Sequence, residues 1–143
     1  MEQFQDKKLI YIADDEYSIR EALKAFLESA DFDVVPFETG DDLYTAFQEK
    51  PADLVILDVM MPGSSGFIIC KALREQSDIP IITLTARDSD LDYKIAMDYG
   101  STDYFTKPES PMNIVSRVKS IFRHMEYQRE AEIKDASDNH ETT

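Results

Sequence analysis

A chain of 143 residues is a suitable length for one globular core, and 43% hydrophobic with 31% charged residues is the balance of a folded domain, not of a disordered chain. Its 29 acidic and 15 basic residues leave a formal net charge of −14. No basic stripe is present to neutralise phosphates, so the composition speaks against direct nucleic-acid binding and against an anionic membrane surface, while a divalent cation or a basic partner would be attracted. Cys70 is the sole cysteine. No intrachain disulfide can form, a reducing cytoplasm is the expected setting, and the thiol reads as a small core hydrophobe. The polar start Met1-Glu2-Gln3-Phe4-Gln5-Asp6 does not read as a secretion signal, and no apolar run approaches the length of a membrane span.

In chain order, Leu9-Ile10-Tyr11-Ile12-Ala13 is an apolar strand that ends in the acids Asp14, Asp15 and Glu16. A helix is expected from about Tyr17 to Ser29, with Ile19, Leu23, Phe26 and Leu27 facing the sheet. The strand Asp33-Val34-Val35-Pro36-Phe37 carries a proline, which belongs on a sheet edge where the missing N–H costs least. Gly40 and Asp41 introduce a second helix that ends near Pro51. The aliphatic run Leu54-Val55-Ile56-Leu57 fits a strand buried on both faces, and it delivers Asp58 into the loop Val59-Met60-Met61-Pro62-Gly63-Ser64-Ser65. An acid there needs a cation, a partner or water. A third helix follows Gly66.

Ile81-Ile82-Thr83-Leu84-Thr85 is the next strand and ends in a hydroxyl; a fourth helix, about Asp88 to Tyr99, is stopped by Gly100. Asp103-Tyr104-Phe105-Thr106 runs into Lys107-Pro108, and the fifth helix carries the stripe Ile114, Val115, Val118, Ile121, Phe122 and Met125, expected to close the core. Beyond Met125 the chain turns acid-rich. Good helix formers in Glu130-Ala131-Glu132-Ile133-Lys134 suggest a few further turns, with Ser137-Asp138-Asn139-His140 expected to release the helix. Residues 7–124 therefore read as the domain, and 125–143 as a helical extension, acidic tail or linker, partly disordered.

Five strand-helix alternations predict a (βα)₅ α/β fold around a five-stranded parallel sheet. Its strand ends offer acids, a hydroxyl and an ammonium, and in open parallel sheets ligand sites lie beyond the carboxyl ends of the strands. Asp14-Asp15 alone are ordinary acids at a helix start, and Asp58, Thr85, Tyr104 or Lys107 alone ordinary loop and strand residues. Their joint occurrence is what carries the reading.

Taken in order, Asp14-Asp15, Asp58 with Met61-Pro62 and Gly66, Thr85-Ala86, Tyr104, and Lys107-Pro108 resemble the receiver domain of response regulators in bacterial two-component signalling, with output domains of the winged-helix type among the relatives. The resemblance implies a doubly wound, flavodoxin-like sheet in strand order 2-1-3-4-5. It implies Asp58 as phosphoacceptor, a sensor histidine kinase as donor, and Mg²⁺ held by Asp15, Asp58, Asp14 and the backbone carbonyl of Met60. Lys107 and Thr85 would contact the phosphoryl oxygens, and Thr85 with Tyr104 would form the switch. Arg87, two residues past Thr85, is near enough to shield the phosphoryl group.

Such a chain is a signalling switch that catalyses only its own phosphorylation and dephosphorylation. Its changing face would be the fourth helix, fifth strand and fifth helix, acting on an output domain or partner in transcriptional regulation, or through a homodimer. Tyr93 and Asn113 stand where relatives that dimerise through that face often carry a base and an acid, so one expected intersubunit ion pair is missing. Glu109 replaces the common aromatic after Lys-Pro. Two alternatives are a phosphate-independent interaction module and an aspartate-nucleophile phosphatase. The latter is disfavoured because Met60 sits where that chemistry usually wants a second acid. A flavin carrier is disfavoured by the acids after the first strand, which would repel its phosphate. His124 and His140 lack metal-like companions.

Overall fold

The structure, a computed structural model, describes residues 7–86 and 89–141, with side chains through residue 136. Five strands and five helices alternate: β1 (Leu9–Ala13), α1 (Tyr17–Ser29), β2 (Asp33–Phe37), α2 (Gly40–Glu49), β3 (Leu54–Asp58), α3 (Gly66–Arg74), β4 (Ile81–Thr85), α4 (Asp90–Asp98), β5 (Asp103–Thr106) and α5 (Pro111–Glu141). All strand pairs are parallel and the order is β2-β1-β3-β4-β5. The expected flavodoxin-like order is therefore the observed one. The reversal of winding between β1 and β3 opens a crevice above the ends of those strands.

Residues 7–111 fall within one compact unit. β3 and β4 are buried along their whole length, as aliphatic strands covered on both faces should be. On one side of the sheet, Tyr11, Ala13, Val55, Leu57 and Ile81 pack with Leu43 and Phe47 of α2 and with Ile69, Cys70 and Leu73 of α3. β2 is an edge strand, with Pro36 in register with Ile12, which is where its missing donor is tolerated. Cys70 is fully buried; burial pushes its thiol up to about 11, against a smaller opposing effect of Arg74, so it stays an unreactive core group.

Two expectations about buried faces need correction. On α1 the buried positions are Arg20, Leu23 and Leu27, with Ile19 half-buried, while Phe26 is 43% exposed. With Leu23 and Leu27 centred on the core, Arg20 and Phe26 lie on its two flanks. The arginine takes the covered flank because its guanidinium has a partner there: Nη1 donates to the carbonyl of Asp14 at 2.8 Å, and Nη2 lies 3.8 Å from Glu38.

On α5, Ile114, Val115 and Val118 are buried and Ile121 and Phe122 half-buried, but Met125 is 41% exposed. Every side chain from Arg123 to Ala136 is exposed, so a stripe can persist in the sequence past the point where anything covers it. The helix does not end at Ser137 but runs to Glu141. Good helix formers and an Arg129–Glu126 pair at 2.7 Å support these solvated turns without tertiary burial. The side chain of His140, along with Arg87 and the last two residues, lies outside the described residues; His124 is exposed.

Loops are held by polar side chains with distant partners. Arg74, at the end of α3, donates from Nε and Nη2 to the carbonyl of Gly100 at 3.0 and 2.8 Å. It also donates from Nη1 to the carbonyls of Ser77 and Ile79 at 3.0 and 2.6 Å, and from Nη2 to Thr102 Oγ1 at 3.4 Å. One side chain thus ties the α3–β4 and α4–β5 connections together. Gly100, at φ +101°, ends α4 in the left-handed region expected of such a residue.

Candidate functional site

The end of β1 carries Asp14, fully buried, and the end of β3 carries Asp58, almost fully buried. Both strands are inner members of the sheet, so their main chains are committed to ladders and their terminal carboxylates project into the crevice. Just beyond β5, the ammonium of Lys107 reaches between them: Nζ lies 2.9 Å from Asp14 Oδ2, 3.2 Å from Asp58 Oδ2 and 3.2 Å from Glu16 Oε1. The Lys107 N–H also donates to the carbonyl of Thr85 at 2.6 Å, which binds the lysine's own main chain to the end of β4. The Lys107–Pro108 peptide is cis.

Local hydrogen bonds orient the acids. The Glu16 N–H donates to Asp14 Oδ1 at 2.9 Å, and the Met60 N–H donates to Asp58 Oδ1 at 3.2 Å. The loop after Asp58 closes through Val59 N–H to Leu84 O at 2.8 Å and Gly66 N–H to Val59 O at 3.0 Å. Gly66 is required here for space: a Cβ would overlap the Asp58 carbonyl and the Val59 main chain.

The electrostatics are those of two acids sharing too little positive charge. Burial, reinforced by Asp14, pushes the Asp58 carboxyl up to about 7 even though Lys107 and the Met60 N–H pull it down. Burial alone would lower the Lys107 ammonium, but Asp14, Asp58 and Glu16 outweigh it and raise it to about 12. Lysine therefore stays charged at every physiological pH, while Asp58 carries an unrelieved cost.

The donor chemistry fits a hard divalent cation. Carboxylate oxygens of Asp14, Asp15 and Glu16 lie within 4.8 Å of one another, one acid buried and two exposed. Asp58 joins them by way of Lys107, and all available ligands are oxygens. Asp15 is solvent-facing, as is half of Met60. Thr85 is fully buried at the end of β4, and Tyr104 is half-buried on β5 with its ring edge-on to Tyr93 at 5.6 Å between centroids. Of the residues singled out from the sequence, Asp14, Asp58 and Lys107 meet directly, Thr85 joins through its main chain, and Tyr104 lies apart beside α4. Glu16 was missed as a Lys107 partner; its place directly after two acids at a strand end was the available signal.

The response regulator receiver domain model matches residues 10–119, most of the chain. The chain belongs to the response regulator receiver domain family. As a receiver domain it is a signalling switch of two-component systems, and phosphorylation and Mg²⁺ dependence are implied by that family. It is 36% identical over 127 residues to the transcriptional regulatory protein BaeR of Escherichia coli, covering 89% of this chain and 53% of that protein. It is 41% identical over 121 residues to the probable transcriptional regulator ycf27 of Cyanophora paradoxa, covering 85% and 51%. The receiver domain thus spans about half the length of these curated relatives. Among solved structures it resembles the BeF3-activated N-terminal receiver domain of Klebsiella pneumoniae RstA, with a TM-score of 0.73 and 32% identity over 78% of this chain and 95% of that one. Among the described residues, no helix is long and apolar enough to cross a membrane.

Proposed function

We propose that this receiver domain accepts a phosphoryl group on Asp58 from the phosphohistidine of a sensor histidine kinase and uses it to switch an output in transcription. The observation that carries the reading is the convergence of Asp58, Asp14 and Lys107 from three separate strand ends within 3.2 Å of one ammonium. An Asp58 oxygen attacks phosphorus, and the bond from phosphorus to the donor imidazole nitrogen breaks with its electron pair left on that nitrogen. Lys107 exchanges part of its contact with the carboxylates for the phosphoryl oxygens, and Thr85 Oγ1 donates to another of them. Asp14, Asp15, Asp58 and the Met60 carbonyl would hold Mg²⁺, which supplies neutralisation of charge between the carboxylates and the phosphoryl group. Residues 7–124 form the phosphorylatable unit and the remainder of α5 an extension from it. A kinase donor places the domain in the cytoplasm, and the names of its relatives support a transcriptional output reached through a further domain, a partner or a homodimer across α4, β5 and α5.

Incubation with acetyl phosphate and Mg²⁺ followed by intact-mass measurement tests the assignment. Wild type should gain one phosphoryl adduct and Asp58→Asn none. An adduct of equal yield in Asp58→Asn would remove Asp58 from the role, and no adduct in wild type, even with kinases, would favour a phosphate-independent interaction module.

For the switch, recruitment of the Thr85 hydroxyl to the phosphate frees room for the Tyr104 ring, which would leave its edge contact with Tyr93. Tyr104→Ala should leave adduct formation within about twofold of wild type and abolish phosphorylation-dependent partner binding or dimerisation, read by sedimentation with and without the phosphoryl donor. Loss of the adduct itself would contradict this division between chemistry and signalling.

A further inference from the structure

The loop that joins Asp58 to α3 is pinned at both ends, by Gly66 N–H to Val59 O and by the Ser65 side chain capping the Ile68 N–H at 3.4 Å. Its apex is held from a different part of the chain. Asp41, in the first turn of α2, presents Oδ2 to the Ser64 N–H at 3.1 Å across 23 residues of sequence. Hydrogen bonds from the Ser64 main chain and then from its hydroxyl hold the Asp41 carboxyl below its usual range. Gly63, at φ +81°, makes room for this contact, since a Cβ there would stand 2.6 Å from Asp41 Oδ2. Beside it the start of α2 also abuts Met61: a Cβ on Gly40 would lie 3.2 Å from Met61 Cε and 2.6 Å from Ile69 Cγ1. The segment from Met61 to Ser64 therefore rests against the first turn of α2 through an apolar contact on one side and a charged hydrogen bond on the other.

We propose that Asp41 is a positioning residue for the cation site: its latch on Ser64 fixes the course of the loop and so the direction of the Met60 carbonyl. The inference rests on the reading of Met60 as a cation ligand. Met60 lies four residues before Ser64, is 52% exposed, and has its N–H on Asp58, so the path of the loop contributes to where its carbonyl points. Asp41 touches neither the cation nor the phosphoryl group. It acts by lowering the number of conformations the loop samples before binding, which is an effect on affinity and not on the chemical step.

The test compares Asp41→Ala, which removes the acceptor, with Asp41→Asn, which keeps it and removes the charge. In metal-free protein, the Ser64 amide should lose hydrogen-exchange protection in Asp41→Ala and retain it in Asp41→Asn. Titration with Mg²⁺ followed by amide shifts of residues 59–64 should give a dissociation constant roughly fivefold weaker in Asp41→Ala and within about twofold of wild type in Asp41→Asn. The rate of phosphorylation at saturating Mg²⁺ should be unchanged in both. Equal Mg²⁺ affinity in wild type and Asp41→Ala overturns the latch, and equal weakening in both variants overturns it too, because that pattern reports a lost charge and not a lost hydrogen bond. Wild type that binds no Mg²⁺ overturns the proposal together with the site reading beneath it.

Discussion

At pH 8 and without divalent cations, Asp58→Asn should unfold about 2–3 kcal/mol harder than wild type, and at pH 4 the two should be nearly equal. The Asp58 carboxyl has an ordinary pKa of 3.8 and is pushed to about 7 in the folded chain. Below pH 3.8 it is protonated in both states and contributes nothing. Between 3.8 and 7 the unfolded chain releases the proton while the folded chain keeps it, so stability falls as pH rises; above 7 the full penalty, on the order of 4 kcal/mol, is in place. Asparagine removes the charge but also removes one partner of Lys107, which discounts the gain. The lysine works in another window: its raised pKa contributes stability below about 10.5 that is lost as pH climbs through about 12. Urea unfolding at both pH values checks this. A variant no more stable than wild type at pH 8 would mean that the crevice solvates Asp58 far better than its burial suggests. Mg²⁺ should stabilise wild type more at pH 8 than at pH 4, and Asp58→Asn less than wild type.

Arg74→Ala should destabilise the fold by about 2–4 kcal/mol, a loss measurable in the same unfolding experiment. Its guanidinium donates to three carbonyls and to the Thr102 hydroxyl, which itself accepts from the Ile81 N–H at 3.0 Å. Truncation leaves half-buried acceptors without a donor, and these belong to both connections that flank β4. Arg74→Lys should recover less than half of the loss, because one ammonium cannot replace a planar fork whose nitrogens reach in several directions. A loss below 1 kcal/mol for the alanine variant would show that water replaces the fork at little cost.

These two residues also mark where the sequence was legible and where it was not. Four aliphatic runs and one short mixed run announced the strands, Pro36 announced the edge, and acids at the ends of β1 and β3 announced the crevice, because each signal is local and periodic. Burial of Arg20 in place of Phe26 was not legible. A helical pattern ranks side chains by apolarity, whereas Arg20 is drawn inward by the main-chain carbonyl of Asp14, with Glu38 beside its other nitrogen. Glu16 to Lys107 spans 91 residues, Arg74 to Gly100 spans 26, and Asp41 to Ser64 spans 23. Apart from the place of Glu16 directly after two acids, nothing in the residues near either partner specifies such pairs. The exposed length of α5 was underestimated for the converse reason, since helix propensity can carry a solvated segment without a tertiary cue.

Asp58 terminates a strand that is hydrogen-bonded on both sides and buried at all five positions, whereas the groups around it stand on the connections after β1, β3 and β5. The carboxylate proposed to take the phosphoryl group is therefore the stationary part of the machine. Amide exchange should be slowest along residues 54–58 and should change there least on phosphorylation, with the response confined to the surrounding rim. A message sent from such a hub travels by re-aiming short loops about a fixed post, so its reach is set by how firmly each loop is tethered and not by any deformation of the sheet.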